Sequence, residues 1–241
     1  MATERDKELS LVQHLVEFRN RLMVASIAVA ITTTFAFLFI GQIIHFLLLP
    51  SGVDRLQTFS PTEPFAVSFR VALFAGIALA MPVILYEIYA YIDPALFPNE
   101  RRFVRFIGLP VLLLFAGGMA FCYFVLLPRA IPFLLTFGGD VFTGQLRADE
   151  YLSFVTTFVL GMGLVAEVPV VIWALVRVGV VQRSWLAKQR RYVFLISFIA
   201  AAILTPTPDP FNQTLVAVPM YLLYELGLFF ARFGVKPRAA S

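Results

Sequence analysis

The chain has 241 residues, 60% of them hydrophobic and 14% charged, with a mean hydropathy of +0.85. A soluble domain keeps roughly a quarter of its residues charged. This composition therefore excludes a water-soluble globule, a disordered chain and a disulfide-rich secreted module. The net charge of +4 has no meaning for partners until the basic residues are placed.

The apolar runs are long rather than alternating, which indicates membrane-spanning helices and not a barrel. Ser10 and Gln13 have the spacing of a capping box, and Leu11, Leu15, Phe18 and Leu22 recur at helical intervals. This start reads as an amphipathic helix lying on or entering one membrane face. Six spans follow, at about residues 22–49, 68–91, 106–128, 151–177, 192–206 and 211–231, each near the ~20 residues a bilayer requires. The first is longer than the ~7–15 residue apolar core of a signal peptide. Pro82, Pro110 and Pro169 lie inside spans two, three and four and predict either kinks or local packing adjustments. The expected fold is all-α: one polytopic membrane domain of six helices in a concave, kinked bundle. Residues 50–65 and 128–150 read as loops long enough to cap one face. Span five is short, since Arg191 and Pro206 bound it. A helix of roughly 21 Å does not reach across ~30 Å of hydrocarbon. The bilayer is expected to thin beside spans five and six, unless Pro206–Pro210 dips into it as irregular backbone.

Six spans place both termini on the same side. That side collects fifteen of the nineteen Lys and Arg, and the other side keeps Arg55, Arg70, Arg129 and Arg147. By the positive-inside rule both termini are cytoplasmic. The basic balance is then a topology signal, and no nucleic-acid partner is expected.

Carboxylates in or beside spans are costly and need a reason. Glu17 stands four residues before Arg21, the favourable order for a helical ion pair. Glu100 follows Asn99, a good N-cap, and would sit in a first helical turn. Glu87, Glu167 and Glu225 are embedded in apolar sequence. Glu87 and Glu225 lie near cytoplasmic span ends. Glu167 lies about 15 Å in from the boundary at Arg177 and must face protein or a hydrated cavity. With Pro169 just beyond it, Glu167 is expected on the concave side, away from lipid. Asp209 sits in the turn between spans five and six, with proline on both sides.

Enzymatic motifs are missing. The two histidines, His14 and His45, are far apart, and the lone Cys122 lies in an apolar run. No nucleophile elbow or phosphate loop occurs, and Asp93 and Asp209 fall at opposite faces. No enzyme activity, metal or cofactor is expected. A small proton-coupled transporter remains the second reading, because Glu87 and Glu167 could carry protons, although no inverted repeat is visible.

An ordered set of phrases runs from about residue 10 to 233. It comprises His14-Leu15-Val16-Glu17-Phe18-Arg19-Asn20-Arg21-Leu22, Ser60-Pro61-Thr62-Glu63-Pro64, Pro82-Val83-Ile84-Leu85-Tyr86 and Pro94-Ala95-Leu96-Phe97-Pro98-Asn99-Glu100-Arg101-Arg102. Phe121-Cys122-Tyr123-Phe124, Tyr151-Leu152-Ser153-Phe154, Glu167-Val168-Pro169, Leu204-Thr205-Pro206 and Asp209-Pro210-Phe211-Asn212-Gln213-Thr214 complete it. Together they resemble the TatC family, the multispanning subunit of the twin-arginine protein translocase. The resemblance implies a non-enzymatic receptor and scaffold in the cytoplasmic membrane. Such a protein exports folded passengers with single-span TatA- and TatB-type subunits, uses the proton-motive force and self-associates. It further implies that Glu17 and Glu100 recognise the arginine pair of signal peptides, with Arg19, Tyr91 and Pro94 in the same site. Pro50 matches a structural proline at the exit of span one, and Asp209 is likewise structural. Spans five and six are expected to dock a partner helix, with Thr205 and Gln213 as its polar contacts.

Overall fold

The computed structural model describes residues 11–53, 55–92, 98–136, 146–205 and 209–232. Apolar sequence in a bilayer must satisfy its backbone internally, and helices do so within each segment. The first helix, α1 (Leu11–Leu38), is one uninterrupted rod, so the amphipathic start enters the membrane instead of lying on it. It is followed by α2 (Ile40–Leu48), and a 3₁₀ turn at Leu49–Ser51 ends this limb. Pro50 sits in that turn, which Gly52 closes in a left-handed conformation at φ 68°. Helix α3 (Glu63–Ile92) continues through Pro82. Helix α4 (Pro98–Phe121) likewise contains Pro110 and continues through a π-helical segment, Cys122–Leu126, into α5 (Leu127–Thr136). The fourth span is α6 (Ala148–Val165) and α7 (Val168–Val178). A short α8 (Arg183–Lys188) leads to α9 (Arg190–Leu204) and α10 (Pro210–Phe230).

Five of these segments are long and apolar enough to cross a membrane. The remaining crossing is α9, whose 15 residues extend only about 22 Å. The interruption expected beside Pro169 falls at Ala166–Glu167, Pro82 and Pro110 lie within continuous helix, and a further break falls at Phe39. The loop expected from residue 128 begins later, because α5 extends to Thr136.

The principal core surrounds α6. Phe158, Val155 and Leu152 of α6 pack with Val71 of α3, Leu127 and Ile131 of α5, and Val216 of α10. Helix α4 comes against α6 at Gly118. A Cβ there would lie 2.6 Å from the Met162 carbonyl oxygen, so only glycine allows this approach. Two tyrosines close the end of this core at the C-terminus of α2. The Tyr123 hydroxyl donates to the Phe46 carbonyl at 2.6 Å, and the Tyr151 hydroxyl donates to Leu47 at 2.8 Å. They supply bonds to two of the last carbonyls of α2, of which Phe46 also accepts from the Leu49 backbone.

Candidate functional site

Helix α1 lies along α3 and rests on little else, so residues of both helices share one membrane face. Glu17 and Arg21 are one turn apart on α1, and Glu87 comes from the last turns of α3. Arg21 donates from Nε and Nη2 to Oε1 of Glu17, at 3.1 and 2.9 Å. Its Nη1 donates to Oε2 of Glu87 at 3.1 Å. The side chains are partly exposed, Glu87 least at 12%. A groove of about 410 Å³ opens beside them, lined also by Gln13, Val16, Asn20 and Val24. Two carboxylates around one guanidinium leave one net negative charge, which suits a cation.

Tyr91 belongs to the last turn of α3, not to the loop beyond it. Its ring stacks on His14 at 4.5 Å and meets the edge of Phe18 at 5.5 Å. Tyr91 thus anchors the segment of α1 that carries Glu17. Arg19 is exposed and donates to the Asn20 side chain at 3.3 Å. Glu100 lies in the first turn of α4, which starts at Pro98, one residue before the expected cap position. Pro94, the side chain of Glu100 and Ser10 lie outside the described residues.

The same face carries a second ion pair, where Arg190 of α9 meets Glu225 of α10 at 2.8 Å. The Tyr221 hydroxyl also donates to Glu225, at 2.9 Å. Glu225 therefore ends the apolar length of α10 level with the start of α9.

Glu167 occupies the break between α6 and α7 and is 8% exposed. Neither carboxylate oxygen makes a full hydrogen bond among the described residues; the Phe115 backbone of α4 faces it. The adjacent Ala166 lines an apolar groove of about 1150 Å³ between α4 and α10, together with Leu113, Gly117, Pro219 and Leu222.

At the opposite face, Asp209 caps α10 by accepting from the Asn212 backbone at 2.7 Å and its side-chain amide at 3.0 Å. Thr205 is buried, and its hydroxyl donates to the Ala201 carbonyl at 2.9 Å. Gln213 donates to the Phe198 carbonyl at 2.9 Å. Gln213 thus joins α10 to α9, whereas the Thr205 bond turns back by one turn within α9.

The reading of the sequence missed Glu63. This buried carboxylate accepts from the Phe59 backbone at 2.8 Å and the Asp149 backbone at 3.3 Å, and Arg147 approaches to 3.5 Å. Arg147 also pairs with Glu150 at 3.3 Å and lies over the Phe59 ring. Arg70 pairs with Asp149 at 2.7 Å and with Ser153. Gln57 exchanges backbone bonds with Leu146 and Ala148, at 3.0 and 2.8 Å. The two outer connections are thus knotted together around Glu63. Its signal was a carboxylate at a helix start, three residues after Ser60.

Comparison with known proteins accounts for this arrangement. The chain matches the family of Sec-independent protein translocase protein (TatC) over residues 13–219. It is 35% identical over 238 residues to the TatC of Carboxydothermus hydrogenoformans, covering 98% of both chains. It is 38% identical over 231 residues to the TatC of Escherichia coli K12, covering 93% of this chain and 89% of the relative. A crystal structure of the twin-arginine translocase receptor TatC superposes with a TM-score of 0.81 at 36% identity, over 92% of this chain and all of that one. A second, in DDM, gives 0.83 at 37%. These matches displace the transporter reading: the chain belongs to the TatC family, multi-pass membrane components of the Sec-independent protein translocase and not enzymes.

Proposed function

We propose that this chain is the signal-peptide receptor of a twin-arginine translocase, and that Glu17 and Glu100 bind the arginine pair at the cytoplasmic face. The observation that carries the reading is the Glu17–Arg21–Glu87 cluster. It shows a guanidinium already seated on Glu17, beside an open groove and with net negative charge. Arginine offers a planar fork that a carboxylate accepts in two parallel bonds, which the point charge of lysine cannot match. Tyr91 supports the site by holding α1, while Arg19 and Pro94 flank it in sequence. The location of the basic residues supports an orientation with both termini in the cytoplasm, in the cytoplasmic membrane.

Partners follow from the same reading. TatA- and TatB-type single-span subunits, and further copies of this chain, complete an exporter of folded passengers driven by the proton-motive force. Spans five and six serve as a docking face for a partner helix. Thr205 and Gln213 hold that end in shape, and the exposed apolar stripe of Leu195, Ile199 and Ile203 on α9 meets the partner. Glu167 faces the concave side and supplies a polar point for an entering helix.

The test is binding of a signal peptide to the purified chain in lipid nanodiscs. An Arg-Arg peptide should bind at least about tenfold tighter than its Lys-Lys counterpart, and Glu17→Ala or Glu100→Ala should weaken it. Equal binding of both peptides, or no effect of either substitution, rejects the reading.

A further inference from the structure

We propose that Arg21 is an internal stand-in for the incoming arginine: it occupies Glu17 while the receptor is empty, and Glu87 receives it when a signal peptide takes its place. The proposal rests on the reading of Glu17 as a signal-peptide residue and adds the device that sets its affinity.

The geometry points to exchange. Nε and Nη2 of Arg21 both converge on a single oxygen of Glu17, Oε1, at 3.1 and 2.9 Å. This is not the fork on two oxygens, which gives the stronger pairing. A helical neighbour four residues away is constrained by its own backbone, whereas a peptide arginine arriving from outside can align both bonds. The third nitrogen, Nη1, already touches Glu87 at 3.1 Å. A small rotation of the Arg21 side chain therefore transfers it wholly to Glu87, and its charge is never left without a counter-charge. All three contacts join side chain to side chain. Arg21 and Glu17 retain 29% and 22% side-chain exposure, so the exchange requires no helix to open. The charge count also favours it. The cluster passes from one net negative charge to neutrality when one arginine enters, and Glu87 provides the second negative charge that makes this possible.

An intramolecular competitor lowers apparent affinity by the fraction of time it occupies the site. Removing it should raise affinity, and removing its alternative seat should lower affinity. Dissociation constants are measured with a labelled Arg-Arg signal peptide on the full chain in nanodiscs. Arg21→Ala should bind roughly three- to tenfold tighter, in line with a partly exposed ion pair. Arg21→Lys keeps the charge but loses the fork, and should show a smaller gain. This second variant separates competition from simple charge repulsion, which predicts no gain for lysine. Glu87→Gln should weaken binding in the parent and have little effect in the Arg21→Ala background, because the seat matters only while its occupant exists.

Unchanged or weaker binding by both Arg21 variants overturns the proposal, as does a Glu87→Gln loss of equal size in both backgrounds. If Glu17→Gln leaves parental binding intact, the receptor reading fails and this inference fails with it. If Glu17→Gln abolishes binding while the Arg21 variants gain nothing, only the inference fails.

Discussion

Two clusters of acid and arginine sit at opposite faces of the bundle, and they are built differently. At one face Glu63 accepts two backbone N–H groups, from Phe59 and Asp149, before Arg147 adds its charge. At the α1–α3 face Glu17 is satisfied by the side-chain guanidinium of Arg21, which it shares with Glu87. A backbone donor cannot leave without unravelling its segment, whereas a side-chain donor leaves by rotating. The first arrangement fixes a shape; the second can be exchanged for a ligand. Composition does not distinguish them. What satisfies the carboxylate does.

The largest effect that would sharpen this contrast is on Glu63. Glu63→Ala should orphan the Phe59 and Asp149 amides and release the 52–62 connection from residues 146–150. Thermal unfolding in detergent should drop by several degrees, with export lost as a consequence. A melting temperature equal to the parent would remove the distinction between the clusters. Next comes Glu167, a third kind of carboxylate, with neither type of partner among the described residues. Glu167→Gln should retain much of the export activity because a hydrogen-bonding group remains, whereas Glu167→Leu should lose more. Export rates settle this, and a leucine variant as active as the glutamine one would make the site simple packing. Glu17→Ala should reverse the Glu63 pattern. Stability should change by no more than about 1 kcal/mol, while Arg-Arg peptide binding falls at least about tenfold. The smallest effect concerns Tyr91. Tyr91→Phe should bind peptide as the parent does, because ring stacking on His14 survives, and Tyr91→Ala should weaken binding by an amount worth about 0.5–1.5 kcal/mol. If phenylalanine fails as badly as alanine, the hydroxyl contacts the peptide and Tyr91 is more than an anchor.

The spans were readable because charge-free runs of helical length have few alternatives in lipid. The break at Ala166–Glu167 was too, because Pro169 follows it, but the one at Phe39 was not. Phe39 carries no proline or glycine, and its turn follows from the seating of α2 under Tyr123 and Tyr151. The π segment at Cys122–Leu126 is equally silent in sequence. Pro82 and Pro110 remain in continuous helices, because missing bonds can be tolerated where neighbouring helices hold the backbone. In the site, the Glu17–Arg21 pair was legible as a one-turn spacing. Its link to Glu87 was not, because Arg21 and Glu87, 66 positions apart in the chain, are brought together only by the packing of α1 on α3. The tie made by Glu63 was hidden for the same reason: its donors are supplied by a distant connection. Thr205 and Gln213 were legible as polar residues at a turn, but the choice of Phe198 by Gln213 depended on α9 and α10 being neighbours.

The tyrosine closure of α2 has a consequence in time. The carbonyls of Phe46 and Leu47 wait for hydroxyls that lie 77 and 104 residues further along the chain. At a synthesis rate of about 5–20 residues per second, that gap lasts roughly 4–20 s. Throughout it the end of α2 has its own turn, with Leu49 donating to Phe46, but lacks the hydroxyls that tie it to the rest of the bundle. Maturation of the N-terminal limb is thus set by translation of the middle of the protein, not by its own folding rate. Chains arrested before residue 123 should expose α2 to protease, and chains arrested well past residue 151 should protect it.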